Sequence, residues 1–125
     1  MMLDLTDEQV SKLTEPYPRG WLIHYWEELC QIAANLSFSQ KKSNFFCLIE
    51  RLLREGKIKF DLPLNDPRQD EFWEDPPEVI LAHLREHWPT QAASESDPAI
   101  VDYFYDTQRC PPVSWLSEDG QWHSS

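Results

Sequence analysis

Glycine is scarce in this 125-residue chain, and its three glycines, Gly20, Gly56 and Gly120, lie far apart. A loop that cradles phosphate needs glycines close together, so the sequence contains neither a P-loop nor a dinucleotide-binding turn. No serine or cysteine lies in the strand–turn–helix context of a nucleophile elbow. Because the usual nucleotide-binding and hydrolase motifs are missing, we predict no cofactor and no enzymatic activity.

Cysteines and long apolar runs are also scarce. The three cysteines, Cys30, Cys47 and Cys110, form no Cys-x-x-Cys pair, which predicts reduced thiols, two of them buried on helices. Reduced thiols are typical of the cytoplasm. The N-terminal residues carry no positively charged region, and no stretch reaches the roughly 20 apolar residues of a membrane span. We therefore predict a cytoplasmic protein that has no signal peptide and does not contact a membrane.

Positive charge is scarce as well, since 11 basic residues stand against 22 acidic ones and the net charge is -11. Such a surface repels phosphate, which argues against direct nucleic-acid binding and against docking on anionic lipid. A basic macromolecule is the partner it attracts. The hydrophobic fraction of 41%, with six Trp, six Phe and four Tyr, is enough for one core, so we predict one domain over residues 1–125.

Two capping boxes predict helix starts, because a Ser or Thr and a Gln three residues later can satisfy each other's backbone N–H groups. The first pairs Thr6 with Gln9 and opens a short helix. The second pairs Ser37 with Gln40 and opens a long helix with a broad apolar stripe. Gly56 is the natural end of that long helix.

Three further segments are predicted from apolar spacing and turn residues. Apolar residues at three-and-four spacing predict a helix over 20–35. Asp75 is predicted to cap a fourth helix that ends at Trp88, with Pro76 in its first turn. The segment 99–105 fits a helical turn or a strand equally well.

Alternating polar and apolar residues predict a short strand over 57–62. Residues 113–116 and 121–123 flank Asp119-Gly120, a dipeptide that favours a hairpin turn. The predicted fold class is therefore α+β: mainly helical, with about four helices and a small antiparallel β-sheet that includes a C-terminal hairpin.

Carboxylates are concentrated in two segments that also contain aromatic residues. Solvated loops and helix starts account for many such charges, but aromatic anchors surrounded by carboxylates are typical of a surface that binds a cationic protein. We predict that the first segment, with Trp73 as its anchor, forms most of the contact, and that the second is the alternative. The residues are Asp66, Asp70, Glu71, Trp73, Glu74, Asp75 and Glu78 in the first segment, and Asp102, Tyr103, Tyr105 and Asp106 in the second.

Basic residues are concentrated in the segment 41–59, which holds six of the 11. A basic helix face can contact nucleic acid, but in so acidic a chain ion pairs one helical turn apart are the simpler explanation. We predict the pairs Glu50–Arg54 and Arg51–Glu55.

The string His83-Leu84-Arg85-Glu86-His87 matches the inverted zinc-protease motif. Its spacing places both imidazoles on one helix face, and Glu86 could activate a water. A catalytic zinc also needs a third protein ligand from another element. We interpret the string as a chance match, predict no metal site, and rank a small zinc hydrolase last among the candidate functions.

A resemblance to a known family covers most of the chain. The central stretch Phe45-Phe46-Cys47-Leu48-Ile49-Glu50-Arg51-Leu52-Leu53-Arg54-Glu55-Gly56-Lys57-Ile58-Lys59-Phe60 resembles the signature of a small bacterial family, domain of unknown function 596. Gly20-Trp21-Leu22-Ile23-His24-Tyr25-Trp26 upstream, and Tyr103-Phe104-Tyr105, Cys110-Pro111 and Trp115 downstream, agree in order. Pro112-Val113-Ser114 departs from the smaller link expected after Cys110-Pro111.

The resemblance implies an immunity protein of a contact-dependent growth inhibition system, which neutralises a cognate toxin domain by binding it. The acidic composition points the same way, because nuclease toxins that hold phosphate are basic. The family has no agreed catalytic residues to carry over to this chain. The alternatives are a non-toxin adaptor and a regulatory subunit that forms a homodimer through a Trp-rich face.

Overall fold

The computed structural model describes residues 4–14, 22–62, 72–117 and 119–124. Three helices come before the first strand, two more helices follow it, and two strands lie at the C-terminal end of the described chain. The elements are α1 (Asp7–Thr14), α2 (Leu22–Ile32), α3 (Phe38–Arg54), β1 (Ile58–Phe60), α4 (Pro77–Glu86), α5 (Pro98–Tyr105), β2 (Val113–Leu116) and β3 (Trp122–Ser124). The α+β, mainly helical fold class is confirmed, with five helices in the described ranges instead of about four.

Both predicted capping boxes are present. The backbone N–H of Gln9 donates to the Thr6 hydroxyl at 3.1 Å, and the N–H of Thr6 donates to the Gln9 side chain at 3.0 Å. Ser37 and Gln40 repeat this exchange at the start of α3. After α3 the chain reverses at Gly56, whose φ of 71° lies in the left-handed region that glycine adopts without strain.

The other two helices with predicted starts depart from the predictions. α2 ends at Ile32, before the predicted end at residue 35, and its predicted start at residue 20 lies outside the described residues. α4 begins at Pro77 and ends at Glu86. The prediction that Asp75 caps α4 is wrong, because Pro76 occupies the N-cap position and the Asp75 carboxylate accepts a hydrogen bond from the Trp73 indole at 2.9 Å.

The ambiguous segment 99–105 is part of a helix, α5. Its N-cap is Asp97, whose carboxylate accepts from the backbone N–H of Ala99 at 3.0 Å. Pro98 follows in the first turn, where a proline costs no hydrogen bond. The Asp97 cap and Pro98 together fix where the helix starts, which the spacing of apolar residues alone does not determine.

The three strands form one antiparallel sheet in the order β1-β2-β3. β2 is central, with Trp115 opposite both Ile58 and His123. The predicted hairpin connects β2 to β3, and Gly120 has a φ of 82° in its turn. Pairing of distant strands therefore joins the middle of the chain to its C-terminal part.

A lysine lies on the outer face of the sheet, between aromatic rings from two distant segments. The ammonium of Lys59 is 5.0 Å from the ring centre of Phe72 and 5.1 Å from that of Trp122. The Phe72 segment runs beside β1, since the N–H of Trp73 donates to the Phe60 carbonyl at 2.7 Å. Through these cation–π contacts Lys59 links the segment that contains Phe72 to the hairpin strand that contains Trp122.

The core is mainly aromatic and lies between the helices and the inner face of the sheet. Trp26 is almost fully buried and contacts the rings of Phe45 and Trp88, each at a centroid distance of 5.4 Å. Ile58 and Phe60, on the inner face of β1, are buried in this core. In the part of the chain described, no helix is both long and apolar enough to cross a membrane.

The three cysteines are not paired with one another. Cys30 on α2 and Cys110 in the loop before β2 are buried, whereas Cys47 on α3 is half-buried. The prediction that the two buried cysteines both lie on helices is therefore wrong. Burial raises the pKa of all three thiols, that of Cys110 to about 12, so they stay protonated at neutral pH and are poor nucleophiles.

Candidate functional site

Three carboxylates of the first predicted segment lie on the surface at the start of α4. We call Glu74, Asp75 and Glu78 the α4 acidic surface. The side chain of Glu78 is 67% exposed and lies 3.5 Å from an Arg54 nitrogen, and that of Glu74 is 75% exposed and lies 3.8 Å from Lys59. Exposed ion pairs of this length contribute little, so these carboxylates remain accessible to a partner. Asp66, Asp70 and Glu71 lie outside the described residues.

Trp73 does not belong to this surface. Its side chain is 9% exposed and its ring lies 5.3 Å from that of His83. The prediction that Trp73 is an exposed anchor is therefore corrected, because the ring is used in the core. The exposed apolar residue beside these carboxylates is Val79, at 43%. Val79 lies between the exposed Glu78 and the inward-facing Ile80, so helical periodicity could have predicted that Val79 is exposed.

The second segment divides into buried and exposed members. Tyr103, predicted at a partner surface, is 1% exposed, and its hydroxyl donates to the Leu84 carbonyl at 2.8 Å, so its side chain lies in the core. Asp106 accepts hydrogen bonds from the Gln108 N–H and the Arg109 guanidinium. Burial by itself raises the pKa of Asp106, but these hydrogen bonds outweigh it and lower the pKa. Asp106 thus stabilises the turn after α5.

The outward face of α5 carries the exposed members of the second segment. Tyr105 is 51% exposed, Val101 one turn before it is 43% exposed, and Asp102 is exposed beside them. Since exposed large apolar side chains are few in the described residues, two on one helical turn form a distinct patch. Asp102 and Tyr105 belong to the predicted partner-binding residues and are exposed, whereas Val101 was not among the predicted residues.

A groove of about 510 Å³ lies between α2 and α5, next to this patch. Ile23, Trp26 and Ile100 supply apolar side chains to its wall, and Glu27 and Glu95 supply carboxylates. Val101 belongs to both the groove and the exposed patch. We call Glu27, Glu95, Val101, Asp102 and Tyr105 the groove face. Sequence reasoning could not find this groove, since it depends on α5 being a helix that packs against α2.

Glu95 is held in the groove wall by a buried lysine. The ammonium of Lys41 lies 2.7 Å from a Glu95 carboxylate oxygen, and its side chain is only 5% exposed. The Trp26 indole donates to the backbone carbonyl of Glu95 at 3.3 Å. Hydrogen bonds from Lys41 and from the Cys30 thiol lower the pKa of Glu95, so Glu95 is ionised at neutral pH and paired with Lys41.

The two histidines of the zinc-protease string lie against each other at the end of α4. The rings of His83 and His87 are 4.3 Å apart, and His87 is the C-cap residue. Nε2 of His83 donates to the Gln108 carbonyl at 2.7 Å, and Nδ1 of His87 donates to the His83 carbonyl at 2.9 Å. In the described ranges, no three His, Cys, Asp or Glu residues are placed to hold a metal ion.

No family model matches the chain, and no curated protein sequence matches it. In its fold the chain is similar to an uncharacterized protein conserved in bacteria, from Neisseria meningitidis. The TM-score is 0.65 at 22% identity, and the similarity covers 94% of this chain and 84% of the other. A likeness at this identity shows a common fold and leaves the function to be argued from the site.

Proposed function

We propose that this protein is a cytoplasmic immunity protein that binds a basic bacterial toxin domain and neutralises it. The single observation that carries the proposal is the groove face, where exposed apolar side chains of α5 adjoin a groove whose wall carries carboxylates. The proposal also draws on the resemblance of the central stretch and its flanking motifs to domain of unknown function 596, which implies an immunity role.

The groove face combines the two components of a protein-binding site. Tyr105 and Val101 supply apolar area that is already exposed, and aromatic side chains of this kind often dominate binding energy. Glu27 and Asp102 supply exposed negative charge close to them. A Lys or Arg of the partner can pack its methylene stem on the apolar wall while its charged end meets a carboxylate.

The net charge of -11 adds a kinetic effect. A strongly acidic protein is steered toward a basic partner, and the association rate then falls steeply as salt is added. The α4 acidic surface contributes to this steering wherever the final contact lies. Fast capture suits an inhibitor that must bind a toxin before the toxin reaches its substrate.

The first test is co-expression with the C-terminal part of the neighbouring upstream gene product, followed by capture on a tag. We expect a stoichiometric complex and restored growth. If the wild-type protein remains free and growth is not rescued, the proposed function is wrong. If a complex forms, variants of the groove face decide whether that face makes the contact.

The decisive variants change charge equally at two places. Glu27→Lys with Asp102→Lys alters the groove face, whereas Asp7→Lys with Glu8→Lys alters exposed carboxylates on α1 by the same total charge. We expect the first pair to slow association about tenfold more than the second at low salt, with a smaller difference at high salt. Equal effects of the two pairs would show that the contact lies elsewhere.

Tyr105→Ala tests the apolar component separately from charge. We expect affinity for the captured domain to fall about tenfold or more, mainly through faster dissociation. Val79→Ala removes a comparably exposed apolar side chain beside the α4 acidic surface and serves as its control. A larger loss of affinity for Val79→Ala than for Tyr105→Ala would indicate that the contact lies on the α4 acidic surface.

A homodimer through the same patch is the second candidate, because Val101 and Tyr105 are exposed on one turn of α5. Sedimentation of the protein alone at increasing concentration separates the two functions. A wild-type dimer that Tyr105→Ala dissociates would support self-association. A wild-type monomer at all concentrations would contradict it and favour contact of the patch with a different protein.

A further inference from the structure

The groove between α2 and α5 has an apolar floor and a polar rim. Ile23, Trp26 and Ile100 form the floor, and each is at most 5% exposed. The rim residues reach solvent and offer oxygen acceptors, and they are Glu27, Gln31, Glu95 and Ser96. None of the described lining residues is a lysine or an arginine. The lining therefore suits a ligand that carries positive charge and donates several hydrogen bonds.

The two carboxylates of the rim lie near the same side chain of the groove, that of Cys30. Burial raises the pKa of the Cys30 thiol, and the hydrogen bond to Glu95 and the charge of Glu27 raise it further. Cys30 and Glu27 both belong to α2, whereas Glu95 lies before α5. A cation bound above Cys30 would therefore have a carboxylate on each side.

Glu95 keeps acceptor positions for a ligand although it is paired with Lys41. A carboxylate has about four acceptor positions, of which the Lys41 ammonium and the Cys30 thiol use two, and the Glu95 side chain is 40% exposed. Glu27 is exposed and makes no ion pair with any residue in the described ranges. Since Lys41 offsets the charge of Glu95, one uncompensated negative charge remains at the rim, and a single cationic group would balance it.

We propose that the groove receives one arginine side chain of the basic toxin domain, with its guanidinium between Glu27 and Glu95. The inserted residue belongs to the partner, so this inference rests on the proposed function. The N–H groups of a guanidinium lie in one plane and can donate to acceptors on both sides of the groove. A lysine ammonium is more strongly hydrated, so bringing it against the buried floor costs more. The aliphatic stem of the arginine packs on Val101, which is 43% exposed.

The first test is an NMR titration that follows the N–H groups of the full chain while the methylamide of N-acetylarginine is added. We expect saturable shifts of the Trp26 indole N–H, because this group donates to the Glu95 carbonyl in the groove wall. The expected dissociation constant is on the order of a few millimolar. The lysine compound should bind about fivefold more weakly. The citrulline compound, which has nearly the same shape as arginine and no charge, should not saturate.

Variants of the full chain link this binding to the groove. We expect Glu27→Gln to weaken binding of the arginine compound about tenfold, because it removes a charge-assisted hydrogen bond. Glu27→Asp keeps the charge and should lose less. Glu78→Gln removes a carboxylate of the α4 acidic surface that is 67% exposed, so it is the matched control and should change nothing.

The second test uses the complex captured by co-expression. Each arginine of the toxin domain is changed to alanine and measured against the wild-type protein and against Glu27→Gln. We expect one arginine whose change weakens binding about tenfold in the first case and much less in the second, since the two changes remove the same contact.

The results that contradict this inference differ from those that contradict the proposed function. A lysine or citrulline compound that binds as tightly as the arginine compound would show that the groove does not select a guanidinium. Equal losses in Glu27→Gln and Glu78→Gln would show that only overall charge matters. A complex in which no arginine is coupled to Glu27 would overturn this inference alone, whereas the absence of any complex would overturn the proposed function whatever the titration gives.

Discussion

The carboxylates at the start of α4 and those around α5 differ in what they contact. At the start of α4, Glu74 and Glu78 reach solvent and make only long ion pairs, while the nearby aromatic ring of Trp73 is buried. Around α5, Glu95 and Asp97 are bound by a buried lysine and by backbone N–H groups. Acidic composition alone therefore does not separate carboxylates that stabilise the fold from carboxylates that can contact a partner.

The aromatic residues show the reverse arrangement. Around α5 the ring of Tyr105 is exposed, whereas at α4 the exposed apolar side chain is the smaller Val79. The region around α5, where Glu95 and Asp97 stabilise the fold, therefore has the better anchor for a partner. For this reason the groove face, with Glu27 added from α2, is a stronger candidate than the α4 acidic surface.

The largest effect on stability is expected from Glu95→Ala. This change leaves the ammonium of Lys41, whose side chain is 5% exposed, without its carboxylate partner. Removing one member of a fully buried pair costs 3–5 kcal/mol, and because Glu95 is 40% exposed we expect about 2 kcal/mol less free energy of unfolding. Urea denaturation measures it. Glu74→Ala, at an exposed ion pair, should change stability by less than about 0.5 kcal/mol, and equal losses would erase the contrast between the segments.

Tyr103→Phe should have the next largest effect. It removes the hydroxyl that donates to the Leu84 carbonyl inside the core, and we expect a loss of about 1 kcal/mol. Tyr105→Phe is the matched control, because Tyr105 lies on the same helix and is 51% exposed. Thermal unfolding of both variants compares them. A Tyr105→Phe loss as large as that of Tyr103→Phe would contradict the division into buried and exposed members.

The smallest effect is expected in the pH dependence of the free energy of unfolding. Hydrogen bonds lower the pKa of Glu95 below its ordinary value of 4.5, so the ionised form stabilises the folded protein. That contribution is complete above the ordinary pKa and is lost as the pH falls through the lowered one. We expect the stability difference between the wild type and Glu95→Gln to shrink as the pH is lowered from 7 to about 3.

Other groups do not disturb this comparison. Burial raises the pKa of Asp61, which acts in the opposite direction, but Asp61 is present in both proteins and cancels in the difference. Urea unfolding at several pH values gives the measurement. A difference that stays constant over this range would show that the charge of Glu95 does not stabilise the fold.

Features set by neighbouring residues were predictable from the sequence. The capping boxes of α1 and α3 were found because each needs only residues three apart. The hairpin turn at Gly120 and the ion pairs along α3 were local in the same sense.

Features set by distant contacts were not predictable. The Lys41–Glu95 pair joins residues that are 54 positions apart, and the groove needs α2 and α5 side by side. Trp73 and Tyr103 were both predicted at a partner surface and are both buried, because the sequence does not tell which aromatic rings of an acidic segment turn inward. Of the site, the sequence could indicate Asp102 and Tyr105 but not the surface to which they belong.

The position of β2 in the centre of the sheet has a consequence for the order of events during synthesis. Ile58–Phe60 leaves the ribosome long before Val113–Leu116, its partner strand, has been made. The helix α2 contacts α1 and α3, and all three are complete before α4 is translated. They can therefore pack before the partner strand of β1 has been made. Until translation has passed Leu116, the nascent chain therefore carries an unpaired strand edge at β1.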